Sequence, residues 1–309
     1  ILFVFKIFTG MLGAVYNSIY RASSHASLGI MAVNTSRVME GLFMVVCLLL
    51  RTPLIITALM YVLPSFCLYL FLKFHSTSKI YHYNFHVKYA DWRLFKSLIV
   101  PSFSFMALPL SQSLNTQGMT LIVNSFFGAE VVVLFNTTRT LANFAKSVIA
   151  NFQNAVWPEF TVSFANKNDD RVRKITRFTF RITMILAILM TIGLLFMGDW
   201  IYEIWTRGRI VFSFSLMSVF MLLVITDSLW STARMTLNAT NNHIKMGPAM
   251  LLVTIAAVAL SYCVGKYNAS LIVIVSCLTI VDIVMAPLTI RQSLQLTKDK
   301  FYYWIIKKG

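Results

Sequence analysis

Ionisable side chains inside long apolar runs are the residues in this chain whose types and spacing could do chemistry. Lys6, Arg37, Glu40, Arg139, Lys146, Asp227, Arg234 and Asp282 fall there. An ionised group in hydrocarbon is costly unless paired or wetted, so each points to a bundle interior or an aqueous cavity. Arg37 and Glu40 are three residues apart and can pair on one helix face. Arg139 lies within Asn136-Thr137-Thr138-Arg139-Thr140-Leu141-Ala142-Asn143, a stripe that is polar over more than one turn. Lys146 follows on the same face. A helix of this kind lines a wet cavity more readily than it faces lipid, and a guanidinium there can hold a phosphate or an acidic sugar. The preceding run is polar as well, with Ser102, Ser104, Ser111, Gln112, Ser113, Asn115, Thr116 and Gln117. Its prolines, Pro101 and Pro109, interrupt the backbone ladder, as in the broken helices of transport pathways. Helix–helix packing by small polar residues is the competing account. Asp227, Asp282 and Glu40 are candidates for taking a proton or cation in a coupling cycle, with pairing to a neighbouring helix as the alternative.

Other chemistries find little support. No GxxxxGK[ST] run cradles a phosphate, so no ATPase is expected. Of His25, His75, His82, His86 and His243, only His82 and His86 have helical ligand spacing. The single acidic residue near them is Asp91, so they read as solvated loop residues. Cys47, Cys67, Cys263 and Cys277 sit in apolar runs without a CxxC and read as small core residues. No catalytic residue, metal site or cofactor is expected.

The elements that carry these residues follow from composition. Hydrophobic residues make up 58% of the 309 and charged residues 12%, where a soluble domain has about 25% charged. Mean hydropathy is +0.72. That little charge cannot coat a soluble surface. A net charge of +16 would suggest nucleic acid in a soluble protein. In a membrane protein it means basic loops facing anionic lipid, and no nucleic-acid partner is expected. A span needs about 20 mostly apolar residues. Nine stretches qualify: 1–19, 31–50, 54–74, 97–117, 125–148, 180–198, 212–234, 247–265 and 270–290.

The expected architecture is therefore an all-α polytopic transmembrane bundle. Its loops sort by charge. One set holds Arg21, then Lys79, Lys88, Arg93 and Lys96, then Lys167 through Arg181, then Lys245, then Arg291, Lys298, Lys300, Lys307 and Lys308. The alternate set holds Arg51, Arg207, Arg209 and Lys266. The positive-inside rule makes the first set, and the C-terminus, cytoplasmic. The chain opens at Ile1 inside an apolar run, which leads to the expectation of a longer protein with about three more spans upstream. Trp92, Trp157, Trp200, Trp205, Tyr302, Tyr303 and Trp304 lie near span ends, as interfacial anchors do. The tail from Phe301 to Lys308 reads as a short interfacial segment. No soluble domain is expected, and the outer loop at 198–212 is too short for a glycan polymerase.

The stretch from Pro101 to Phe164 carries a more specific pattern. A polar proline-containing span closes on Gln117-Gly118, and Phe126-Phe127-Gly128-Ala129-Glu130 makes a turn. Asn136-Thr137-Thr138-Arg139-Thr140 forms a polar helix, and Trp157-Pro158-Glu159 closes the next run ahead of a basic loop. This resembles the start of the second half of a polysaccharide or O-antigen flippase, of the multidrug, oligosaccharidyl-lipid and polysaccharide exporter superfamily. Tyr20-Arg21-Ala22 followed by Asn34-Thr35-Ser36-Arg37 fits the link between early spans of the same family.

The resemblance implies a two-lobe fold with an incomplete first lobe. Residues 1–96 would be the remainder of that lobe, about three spans and a cytoplasmic linker, and residues 97–309 a second six-span lobe. It implies alternating access in the bacterial inner membrane, moving an undecaprenyl-diphosphate-linked O-antigen or polysaccharide repeat unit. Arg139, Lys146, Asn136, Asn143, Gln112, Asn115 and Gln117 would line the cavity. The expected partners are the lipid-linked oligosaccharide and membrane lipids, with a polysaccharide polymerase and chain-length regulator as further candidates. A cation-coupled drug antiporter of the same superfamily is the first alternative, and a membrane-embedded glycan polymerase or acyltransferase a more distant one.

Overall fold

The computed structural model describes residues 2–22, 26–76, 91–240, 242 and 244–306. The side chains of Arg21 and Ala22, and His25, Lys79, His82, His86, Lys88, His243, Lys307 and Lys308, lie outside what is described. In hydrocarbon a chain must satisfy its backbone groups internally, so apolar runs of this length fold as helices. Among the described residues these are α1 (Leu2–Ala22), α2 (Ala26–Leu49), α3 (Leu54–His75), α4 (Trp92–Ser113), α5 (Met119–Ala165), α6 (Asp169–Thr206), α7 (Phe214–Ala239), α8 (Met246–Lys266), α9 (Leu271–Ser276), α10 (Thr279–Thr297) and α11 (Phe301–Ile305). A single π-helical turn, Leu114–Gly118, joins α4 to α5. The chain divides into two compact units, Ile1–Asp91 and Trp92–Gly309.

In the first unit α3 packs on both α1 and α2. Arg51 ends α2 by turning left-handed (φ 49°), and Pro53 precedes the first turn of α3, where its missing N–H costs nothing. The pair expected between Arg37 and Glu40 does not form. Glu40 instead accepts a hydrogen bond from Lys6 Nζ of α1 at 2.8 Å and another from Ser65 Oγ of α3. Lys6 also sits 3.3 Å from the centroid of the Tyr61 ring. Arg37 is exposed. A partner on a neighbouring helix wins because it lets one acid neutralise a base that would otherwise lie unpaired within α1.

In the second unit the six expected spans become five helical runs among the described residues, most of them longer than the sequence suggests. Among the described residues of the whole chain, eight helical runs are long and apolar enough to cross a membrane, the longest being Trp92–Ala165. That run is two legs. Gly128 breaks it with φ 79° and ψ 177°, a backbone region open essentially to glycine alone. The legs fold back on each other: Thr120 and Asn136, and Thr116 and Arg139, meet across the turn. Counted by legs, the spans number nine.

The boundary differs from the expected gap at 118–124. Gly118 is helical (φ −58°, ψ −46°). Thr116 and Thr120 return their hydroxyls to the carbonyls of Gln112 and Thr116, so the polar stretch keeps its helix instead of ending it. Pro101 and Pro109 likewise lie inside α4 without ending it.

Helix α6 also outruns its expected bounds. Asn168 caps it by accepting from the Arg171 N–H at 3.1 Å, and left-handed Arg207 (φ 54°) ends it. The connection expected over 198–212 is thereby confined to 207–213. On the far side of the unit α8 lies directly against α4. A Cβ on Gly247 would stand 2.1 Å from the Ser104 carbonyl oxygen, and Ser104 Oγ donates to the Ile244 carbonyl at 2.9 Å.

The C-terminal segment is docked, not adrift at an interface. Trp304 is fully buried against Phe180, while Tyr302 stays exposed. Arg177 forms a two-pronged pair with Asp299 at 2.6 and 2.8 Å, and Arg181 donates to the carbonyls of Tyr303 and Trp304. Burial pushes the Asp299 carboxyl up, but the Arg177 guanidinium and the Lys300 N–H outweigh it and hold the group below its usual range. These contacts bring the basic start of α6 and the end of α10 to one end of the unit, as the charge sorting of the loops requires.

Candidate functional site

Helix α7 is the most enclosed span, half of its apolar window being buried, so its polar side chains must find protein partners. They form a seam. Gln153 Nε2 of α5 donates to Thr183 of α6 at 3.1 Å and to Ser231 of α7 at 2.7 Å, tying three helices together. Five residues further along α7, Thr236 shares a hydrogen bond of 2.6 Å with Ser293 of α10.

The carboxylates lie on this seam. Asp227 of α7 pairs with Arg234 two turns further on, at 3.1 and 3.4 Å, and the guanidinium lies 4.4 Å from the centroid of the Trp230 ring. Asp282 of α10 faces the same stretch of α7 and is 7% exposed. Its Oδ2 accepts from Thr226 Oγ1 at 2.5 Å and its Oδ1 from Trp230 Nε1 at 3.0 Å. Lys146, from the second leg of α5, is close enough to act electrostatically on both carboxylates, and Asp227 acts on Asp282. Two acids and two bases from three helices therefore share one neighbourhood, in which Asp282 is buried and the other three are partly buried. Such a group can hold, exchange or release a cation, and its occupancy changes the attraction between helices.

The seven expected cavity residues separate. Arg139 is spent on its own hairpin: Nη1 donates to the Thr116 carbonyl at 2.7 Å, and Nη2 to Asn136 Oδ1 at 2.7 Å and Thr120 Oγ1 at 3.2 Å. It therefore fastens the second leg of α5 to the π turn. Asn136 belongs to the same knot. Lys146 acts electrostatically on the two carboxylates without bonding either. Gln112, Gln117 and Asn143 are exposed and Asn115 half-buried. Of the three expected coupling acids, Asp227 and Asp282 come together, whereas Glu40 is held by Lys6 and Ser65 in the other unit.

Thr226, Trp230, Gln153, Thr183 and Ser231 went unremarked as site residues in the sequence. A usable signal existed for Trp230: an indole N–H in an enclosed helix must find an acceptor, and an acid on another span is the natural one. Among the described residues no group of three or more His, Cys, Asp or Glu gathers as a metal cage.

No protein-family model matches the sequence, and no curated protein is similar to it at a significant level. Solved structures do match. A MATE transporter in complex with MaL6 superposes with a TM-score of 0.75 at 13% identity, over 96% of this chain and 69% of that one. The chain has the fold of the MATE transporters. A MATE crystallised in a bent conformation gives a TM-score of 0.73 at 13% identity, over 96% of this chain and 68% of that one. An inward-facing multidrug resistance MATE family transporter of the MOP superfamily gives 0.71 at 13% identity, over 96% and 71%. These neighbours are transporters, not enzymes. In this MATE fold the enclosed carboxylates belong to the second unit and the lone Lys6–Glu40 pair to the first.

Proposed function

We propose that this chain forms part of an ion-coupled exporter that moves a lipid-linked glycan, the repeat unit of an O-antigen or another polysaccharide, across a bacterial inner membrane by alternating access. The observation that supports transport most directly is the group of Asp227, Asp282, Lys146 and Arg234 within the spans of a MATE-type bundle, because ionisable groups inside spans mark ion and substrate pathways. The glycan substrate is supported by the flippase-like pattern from Pro101 to Phe164 and by the exposed amides of Gln112, Gln117 and Asn143, which suit sugar hydroxyls. The net charge of +16 suits a diphosphate-linked donor arriving from the cytoplasmic face. The C-terminus is cytoplasmic in this reading, and a polymerase and chain-length regulator act on the product.

A second reading is favoured by a specific observation. Two carboxylates in a MATE fold also suit a cation-coupled drug antiporter, and one solved neighbour is a multidrug resistance transporter. The two readings separate in one experiment. The chain, supplied with the segments that the MATE structures carry beyond the matched region, is expressed in a strain lacking its O-antigen flippase, and surface glycan and drug resistance are both scored. Restored surface glycan, lost in Asp227→Asn at equal membrane abundance, supports glycan export. Drug resistance without glycan at the surface, across several glycan types, overturns it in favour of the antiporter.

A further inference from the structure

Helix α10 carries a second feature, away from its carboxylate. Asp282, Met285, Thr289 and Ser293 are buried along one stripe of the helix, whereas Pro287, Arg291 and Gln295, spaced four apart, are exposed along another. The exposed three border a recess of about 450 Å³, walled by Ile290 and Leu294 of α10 and by Phe301 of α11. The Phe301 ring is itself packed on Phe180 and Trp304, so that wall is preformed. Asp299 also reaches the recess, but its carboxylate is held by Arg177 at 2.6 and 2.8 Å and its side chain is 1% exposed. Arg291 has no hydrogen-bond or ion-pair partner among the described residues. Other cations at this end of the unit are paired, Arg173 with Asp170 and Lys298 with Asp169. The recess therefore combines apolar walls with one uncompensated guanidinium.

We infer that this recess holds an anionic glycerophospholipid of the phosphatidylglycerol kind, its phosphate on Arg291 and an acyl chain along Pro287, Ile290 and Phe301. The inference goes beyond the export reading and needs neither a glycan nor a drug as substrate.

Depth in the bilayer supports this occupant. The span Leu271–Thr297 has 27 residues, about 40 Å of helix at about 1.5 Å per residue. The hydrocarbon is about 30 Å thick, which leaves about 5 Å of helix beyond it at each end. Arg291 lies six residues before Thr297, about 9 Å along the axis. Its backbone is then just inside the hydrocarbon, and its long side chain reaches the phosphates by laying its stem on apolar surface. Pro287 lies one turn deeper, at the level of the acyl chains.

Other occupants use only part of this chemistry. A free phosphate would pair with the guanidinium but leave the apolar walls uncovered. A zwitterionic phospholipid brings its own ammonium to its phosphate and gains less from Arg291. An anionic phospholipid uses both parts: the guanidinium fork matches phosphate oxygens, and the Gln295 amide suits a headgroup hydroxyl.

The test is native mass spectrometry of the full chain released from nanodiscs of mixed phosphatidylglycerol and phosphatidylcholine. One phosphatidylglycerol is expected to stay bound in preference to phosphatidylcholine. In Arg291→Gln its retention falls about fivefold, the factor expected of one cation at a membrane surface. In Lys174→Gln, which removes an exposed cation of α6 outside the recess, retention is unchanged. Added inorganic phosphate does not displace the lipid. If Arg291→Gln does not fold, Gln295→Trp at its exposed position fills the recess with the guanidinium intact, and it too is expected to lower retention. Equal retention of the two lipids overturns the inference, as does unchanged retention in the recess variant. Equal losses in Arg291→Gln and Lys174→Gln would overturn it in favour of diffuse surface charge, and displacement by inorganic phosphate in favour of an anion site that needs no chain.

Discussion

The two units solve the same problem, an acid among apolar helices, in different ways. In the first, Glu40 meets Lys6 and Ser65, and the charges cancel one to one. In the second, Asp227 is cancelled by Arg234, while Asp282 is supported by a hydroxyl and an indole, with Lys146 nearby but not bonded. A one-to-one pair is a fastening: removing either partner leaves the other stranded. An acid held by neutral donors can change charge and keep its bonds. The difference teaches that acidity inside a span does not mark function by itself; the partners decide.

The largest expected effect tests that contrast directly. Glu40→Gln leaves the Lys6 ammonium enclosed without a counter-charge and is expected to cost about 3 kcal/mol. Asp282→Asn, whose amide oxygen still accepts from Trp230, is expected to cost only about 1 kcal/mol. Unfolding in bicelles measures both, and equal costs would break the comparison. Glu40→Gln combined with Lys6→Met should recover most of the loss.

Next is the pair at the end of the second unit. Arg177→Ala strands Asp299, whose side chain is 1% exposed, and is expected to cost about 3 kcal/mol near neutral pH. Because the folded carboxyl is held below its usual range, that contribution is complete above about pH 5 and is lost as pH falls through the folded value. Melting curves of the two proteins should therefore converge in strong acid. Convergence at rising pH instead would contradict the assignment.

Gly128→Ala puts a Cβ into a conformation open to glycine alone and is expected to cost about 2 kcal/mol, although nothing lies within 4 Å of that position. Limited proteolysis near the turn should report it. Smallest is Tyr202→Phe. The hydroxyl bonds Thr138 at 2.9 Å and the Leu134 carbonyl at 3.1 Å, so its removal is expected to cost about 1 kcal/mol, measured by the same unfolding assay.

Much of the fold was legible beforehand because the bilayer leaves little choice. Long apolar runs become helices, and left-handed residues or Gly128 end them. Boundaries were less legible. The polar residues around Gly118 look like a loop by composition, yet their hydroxyls return to their own helix. Helix α6 continues past residue 198 because Tyr202 finds a buried place against Thr138 and Leu134. Trp304 looks interfacial in a short tail, and only docking against Phe180 shows it to be core.

The sequence by itself determined the class, the approximate number of spans, and the list of charges that had to be neutralised. Spacing along one helix could propose Arg37 for Glu40, and a shared face for Arg139 and Lys146. Only the tertiary structure decided the partners: Lys6 for Glu40, the hairpin for Arg139, and the Asp227–Asp282 neighbourhood for Lys146. The reason is physical. Composition fixes what a span must bury, but which side chain answers a buried charge depends on which helix lies opposite it, and that is a property of packing across tens to hundreds of residues of chain.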